Sequence, residues 1–178
     1  MRTIGILGGM SSVASAEYYR RVNAGVNARL GGHCAAEVVL YSVDFTMVEA
    51  FIRQQRWDQP AEYLAERGCR LERAGADFVI LATSTMHKVA GPVQEALGIP
   101  LIHIVDPTAD AATADGARTL GLLGTASVME ADFYRGRFVD HGVEVLVPAG
   151  QDRALVHRAV AISLGLYPLN TERVSELG

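Results

Sequence analysis

The sequence predicts an α/β protein made of two similar halves, each a parallel sheet covered by helices, with the second half incomplete. Three observations carry this expectation. Short apolar runs alternate with amphipathic stretches along the chain, which is the pattern of strand–helix units in a parallel, helix-covered sheet. A glycine turn and an aromatic–arginine landmark each occur twice, at nearly the same spacing. The composition, 49% hydrophobic and 20% charged with 18 glycines in 178 residues, belongs to a folded, core-rich chain.

Taken in order, TIGILGG (3–9) reads as the first strand, leading into the helical stretch SSVASAEYYRRVNAGVNARL, which closes on Gly31-Gly32. AEVVLYSVDF (36–45) is the second strand, followed by TMVEAFIRQQ and a longer helix from Asp58 to Gly75. Asp58 is the expected N-cap there, and Pro60 falls in the first turn, where a missing N–H does no harm. FVILAT (78–83) leads into MHKVAGPVQEAL, which Gly91-Pro92 must break or kink. PLIHIVD (100–106) precedes an alanine-rich helix ending near Gly116, and TLGLLGT (119–125) precedes the helix VMEADFYRGRFVDHG. VEVLVPA (143–149) and the helix DRALVHRAVAISL complete the pattern, with 166–178 reading as an irregular tail. Ligands of such sheets sit beyond the carboxyl ends of the strands.

Gly5-Ile6-Leu7-Gly8 matches Gly121-Leu122-Leu123-Gly124 at an offset of 116, and Tyr18-Tyr19-Arg20 matches Phe133-Tyr134-Arg135 at an offset of 115. The same strand–turn–helix unit therefore opens both halves. This divides the chain into a first α/β domain over 1–105, a partial second over 106–165, and the tail over 166–178. By the same offset the counterpart of Thr83 falls near position 199, beyond the 178 residues of this chain.

The net charge of −4 without a Lys/Arg block argues against nucleic acid as a partner. No apolar run reaches the ~18 residues of a membrane span, and MRTIGILGGM is too short and glycine-rich in its apolar part for a signal peptide. Cys34 and Cys69 give no disulfide framework, so a reducing cytoplasm is expected. The turn at Gly8-Gly9-Met10-Ser11-Ser12 is not GxGxxG, so no dinucleotide cofactor is inferred.

IGILGGMSS, YYRRVN, VDF, TSTMHKVA, HIVDPT, GLLGTASVMEADFYRGR and VEVLVPA-QDRALVH together, in order from residue 3 to about 165, resemble the aspartate/glutamate racemase family, which uses no pyridoxal phosphate. The resemblance implies an isomerase with no cofactor or metal, acting on aspartate, glutamate or a similar small amino acid in a cleft between two pseudo-symmetric halves. In that family one cysteine from each half flanks the substrate α-carbon; one thiolate removes the α-proton and the opposite thiol delivers a proton to the other face. The family's first cysteine usually stands in a Cys-Asn-Thr-Met-His run, where this chain has Thr83-Ser84-Thr85-Met86-His87. Threonine at this place is a known variation in relatives specific for L-amino acids, which keep the far-half cysteine. Neither Cys34, ahead of a strand, nor Cys69, inside a helix, replaces it.

The substitution matters chemically. A cysteine is a few per cent thiolate at neutral pH, whereas a threonine hydroxyl acts as a base only when a neighbour takes its proton. His87, four residues on and expected in the first turn of the next helix, is the candidate for that role, the alternative being that it hydrogen-bonds the loop. Thr83 and His87 are thus the candidate catalytic residues. Ser84 and Thr85, with backbone N–H groups at a helix start, suit a carboxylate, or else simply cap the helix. By resemblance Met10, Ser84, Thr85 and Thr125 line the substrate cleft, and Ser11 belongs to the equivalent turn after the first strand. Arg53 and Arg56 are candidates to meet a side-chain carboxylate, although a solvated helix face explains them equally well. Ile52 stands where the family commonly has a polar residue. His103 reads as a core histidine, and His157 and Arg158 as solvent-facing. The thin second half leads to the expectation of a homodimer. The alternative function is a catalytically silent member that binds a small carboxylate ligand as a sensor or accessory protein.

Overall fold

Ile4–Gly8 (β1) is the strand on which the first half is built. Its residues after Ile4 are all buried, because strands pair on both of its edges and the helices Ser12–Leu30 and Asp58–Arg73 pack against it. β2 (Val38–Ser42) pairs on one side and β3 (Phe78–Leu81) on the other; β4 (Leu101–Ile102) adds to the far edge of β3. All four strands are parallel, in the order β2-β1-β3-β4. A second, two-stranded parallel sheet pairs β5 (Thr119–Gly121) with β6 (Glu144–Leu146). The computed structural model describes residues 1–163; the expected tail at 166–178 lies outside the described residues.

The helices follow the strands as the pattern requires: α1 (Ser12–Leu30), α2 (Phe45–Arg53), α3 (Asp58–Arg73), α4 (Ala90–Ala96), α5 (Val105–Ala114), α6 (Ala126–Glu130), α7 (Asp132–Asp140) and α8 (Gly150–Ser163). The fold is the expected α/β arrangement with parallel sheets. α3 shows why these helices form where they do. Its buried residues Pro60, Ala61, Leu64, Gly68 and Leu71 recur at three- and four-residue spacing, a stripe that packs on α4 and β1. Leu64, Leu71, Val79 and Val93 anchor the first core; Val105, Ala109, Phe138, Val143 and Val145 form a separate core under the β5–β6 sheet.

Local chemistry shifts several expected boundaries. Helix α3 begins at Asp58 with Trp57, not Asp58, in the cap position, and Asp58 accepts from Arg56 instead. Asp44 caps α2 by accepting from the Thr46 N–H at 2.9 Å. Thr85–Val89 forms a tight 3₁₀ turn and α4 starts only at Ala90, so Pro92 sits in a first turn that needs no N–H from it. The helix expected through residues 128–142 is two helices, because Ala131 takes an extended conformation (φ −87°, ψ 140°) between α6 and α7. Among the described residues the β5–β6 sheet is covered on one face only: Leu120 and Val145 point into the second core, while Leu146 on the other face is 56% exposed. Among the described residues no helix is long and apolar enough to cross a membrane.

Candidate active site

The carboxyl ends of β1, β3 and β5 open toward one another, and a cleft of about 620 Å³ lies among the turns that follow them. Each turn is built by local hydrogen bonding. After β1, the Ser15 hydroxyl accepts from the Gly9 N–H at 2.8 Å and donates to the Ser11 carbonyl at 2.9 Å, while the Ser11 hydroxyl caps α1 by accepting from the Ala14 N–H at 3.2 Å. This holds Met10 and Ser11, both largely buried, in the cleft wall. After β3, the Ala82 N–H still donates to the Leu7 carbonyl at 2.9 Å. The next three residues, Thr83, Ser84 and Thr85, then turn half-buried side chains to the cleft.

Ser84 occupies the cap position of the 3₁₀ turn, yet its side chain makes no capping bond. The pure capping reading is thereby corrected: the Ser84 hydroxyl lies beside the Tyr134 phenol instead. Across the cleft, Thr125 follows β5 and likewise spends no side-chain bond on capping α6. The Thr85 and Thr125 hydroxyls meet at 3.4 Å and close the floor between the two halves. Arg53 reaches the wall from α2 with its guanidinium on Glu49 at 2.8 Å, on a side chain 76% exposed. Arg56 pairs with Asp58 outside the wall.

His87 does not occupy the place expected of a base. The ring is 4% exposed and sits behind the loop. Nδ1 donates to the Thr83 carbonyl at 2.7 Å, and Nε2 accepts from the Ile104 N–H at 3.1 Å. Both nitrogens are therefore committed to backbone, and neither is available to the Thr83 hydroxyl. The ring ties the Thr83 loop to the start of α5, which is the loop-holding alternative. The cause is legible afterwards: Thr85–Val89 is a 3₁₀ turn, so residue 87 points back under the loop instead of out from a helix start.

His103 packs edge-on against His87 with ring centroids 4.4 Å apart, and its Nδ1 accepts from the Val105 N–H at 3.2 Å. Burial pushes both rings down to about 4, in His103 with help from its neighbour His87. A histidine held below its ordinary 6.5 is kept neutral by the fold, so its contribution is complete above about pH 6.5 and is lost as pH falls through about 4. Each ring is therefore expected to cost the folded state about 2–3 kcal/mol between pH 7 and pH 4.5, about 5 kcal/mol for the pair. Urea unfolding at the two pH values checks this, and a midpoint that stays level would show the pair to be solvated. Asp106, held below its ordinary 3.8 chiefly by the Arg137 guanidinium, adds to the loss only at still lower pH.

Several wall residues escaped the sequence reading. Glu49, one turn before Arg53 on α2, is among them. His157, expected to face solvent, lies in the wall and its Nδ1 accepts from the Ala126 N–H at 3.2 Å, fixing the start of α6. Tyr18 and Tyr134 also line the cleft, and burial pushes both phenols up, so they remain neutral O–H groups at ordinary pH. The signal for the tyrosines was present. The 116 offset of the glycine turns carries Tyr18 directly onto Tyr134, whereas the 115 offset of the aromatic landmark does not.

Known proteins share this arrangement. The family model for Asp/Glu/hydantoin racemases matches residues 7–175, which extends past residue 165, where the motif resemblance stops. A Yersinia pestis protein assigned to the Asp/Glu racemases superposes with a TM-score of 0.87 at 41% identity, over 95% of this chain and 75% of that one. An aspartate racemase homologue from Pyrococcus horikoshii gives 0.80 at 30% identity, over 93% of this chain and 73% of its own. The broad-specificity amino-acid racemase RacX of Bacillus subtilis is 27% identical over 89 residues, half of this chain and 39% of RacX. The chain belongs to the Asp/Glu/hydantoin racemase family.

Proposed function

We propose that the cleft binds a small amino acid or dicarboxylate and that the chain acts as an amino-acid isomerase whose described residues address the α-proton from one side only. The observation that carries this reading is the meeting of the two halves over one floor, with Thr83, Ser84 and Thr85 facing Thr125 and the Thr85–Thr125 hydroxyls 3.4 Å apart. Hydroxyls left uncommitted by capping, with backbone N–H groups of the turns, suit an α-carboxylate. An α-carbon held there lies against Thr83. Among the described residues no cysteine lines the cleft; His87, behind Thr83, is tied to backbone at both nitrogens, and His157 in the wall holds the Ala126 N–H through Nδ1. His87 therefore does not strip the Thr83 proton, and the proton transfer Thr83 supports is slow. The proposal includes a reaction without pyridoxal phosphate, a cytoplasmic setting and a homodimer, the last supported by the uncovered outer face of the β5–β6 sheet, where Leu146 is 56% exposed.

The second reading, a silent ligand-binding member, draws on the same commitment of His87. Incubation with L- and D-amino acids in deuterated water, followed by NMR at the α-proton, separates the two. Slow exchange that disappears in Thr83→Ala is the expected result. A thermal shift without exchange would establish the binding reading, and neither effect would remove both.

A further inference from the structure

We infer that the ligand of this cleft is an amino acid with a neutral, apolar side chain, in preference to one with a second carboxylate; this rests on the amino-acid-binding reading above. Two charged side chains line the cleft among the described residues, Glu49 and Arg53, and they lie one turn apart on α2. The Arg53 guanidinium donates to the Glu49 carboxylate at 2.8 Å, so the one cation in the wall already holds an anion. A ligand side-chain carboxylate arriving there must displace Glu49 or sit beside it as a like charge.

Beside this ion pair the wall offers apolar contact. Phe45 and Ile52 stand seven residues apart on α2, on the same face as Glu49, and both pack against the first core. Leu122 faces them from the turn after β5 and is seated on the second core. Leu123, 67% exposed, and Val160 extend this wall toward solvent. Walls continuous with two cores keep their shape, and an unpaired carboxylate laid against them gives up hydration without a partner. The polar equipment of the wall is uncharged: the hydroxyls of Ser84, Thr85 and Thr125, with the neutral phenols of Tyr18 and Tyr134. His157 is turned to the Ala126 N–H through Nδ1. A volume of about 620 Å³ also leaves room beyond an α-carboxylate and amino group for a long side chain.

Titration calorimetry with both enantiomers of leucine, methionine, phenylalanine, aspartate and glutamate tests this on the full chain. The apolar amino acids are expected to bind at least ~10-fold more tightly than the dicarboxylic ones. Glu49→Gln, which releases Arg53, is expected to improve aspartate and glutamate binding by ~10-fold while changing leucine by less than ~3-fold. Ile52→Gln should move the preference in the same direction. Tighter binding of aspartate or glutamate by the unaltered chain overturns the inference and leaves the amino-acid cleft standing. Failure of all ten compounds to bind overturns the amino-acid cleft and this inference together.

Discussion

Replacing Gly9 by alanine is expected to move the urea midpoint far below that of the unaltered chain. Gly9 has φ +92°, a conformation that L side chains rarely adopt, at a cost of roughly 1–2 kcal/mol for strain alone. The larger effect is steric. A Cβ there would lie 2.3 Å from both the backbone nitrogen and the backbone oxygen of Val43. Neither strand can yield, because the Val43 N–H is itself donated to the Gly8 carbonyl at 2.9 Å, the bond that continues the β1–β2 pairing into the turn. Together these put the cost at about 4 kcal/mol or more, against a stability of about 5–15 kcal/mol for a typical domain. Gly31→Ala provides the control. It has φ +72° but nothing within 4 Å of the added carbon, so it should cost only the strain. Urea unfolding followed by circular dichroism measures both, and a Gly9→Ala midpoint near that of Gly31→Ala would mean that β1 and β2 do not approach this closely. The same close approach fixes the turn that carries Met10 and Ser11 into the cleft.

The fold was legible because its signals are local and repeated. Apolar runs at 3–9, 36–45, 78–83, 100–106, 119–125 and 143–149 each contain a strand of the structure. The wall residues on strand-end turns, Met10, Ser11, Thr83, Ser84, Thr85 and Thr125, were legible for the same reason, since ligands of parallel sheets gather there. What stayed hidden depends on direction more than on position. His87 sits where it was expected along the chain, but a 3₁₀ turn aims it under the loop, and no periodicity distinguishes that from an α-helical start. His157 looked solvent-facing because one helix read alone says nothing of what packs against it; only tertiary contact with α6 turns it into a wall residue. The Glu49–Arg53 pair has the spacing of an ordinary surface ion pair, and its influence on a ligand follows from the cleft beside it.

The Thr83→Cys variant is expected to exchange the α-proton of a bound amino acid at least ~100-fold faster than the unaltered chain, the lower end of what a positioned general base contributes. The reason lies in the acid–base properties of the group, since the site around it is unchanged. Threonine and cysteine differ little in size, and Thr83 is half-buried at a cleft wall, so the replacement needs no repacking. A thiol with an ordinary value of about 8.5 is a few per cent thiolate at pH 7 without assistance, whereas the hydroxyl needs a base that His87 does not provide. The rate in the variant should therefore climb with pH toward about 8.5 and level off above it, while Thr83→Ser, which keeps a hydroxyl, stays at the original rate. Stereochemistry supplies an independent readout. A base on one face takes and returns a proton on that face, so deuterium should enter largely with retention of configuration. Inversion requires a donor on the opposite side of the α-carbon, and among the described residues no thiol stands there. Exchange no faster in Thr83→Cys than in Thr83→Ser would place the α-carbon away from residue 83. Rapid exchange with full inversion would instead locate a second acid–base group facing it.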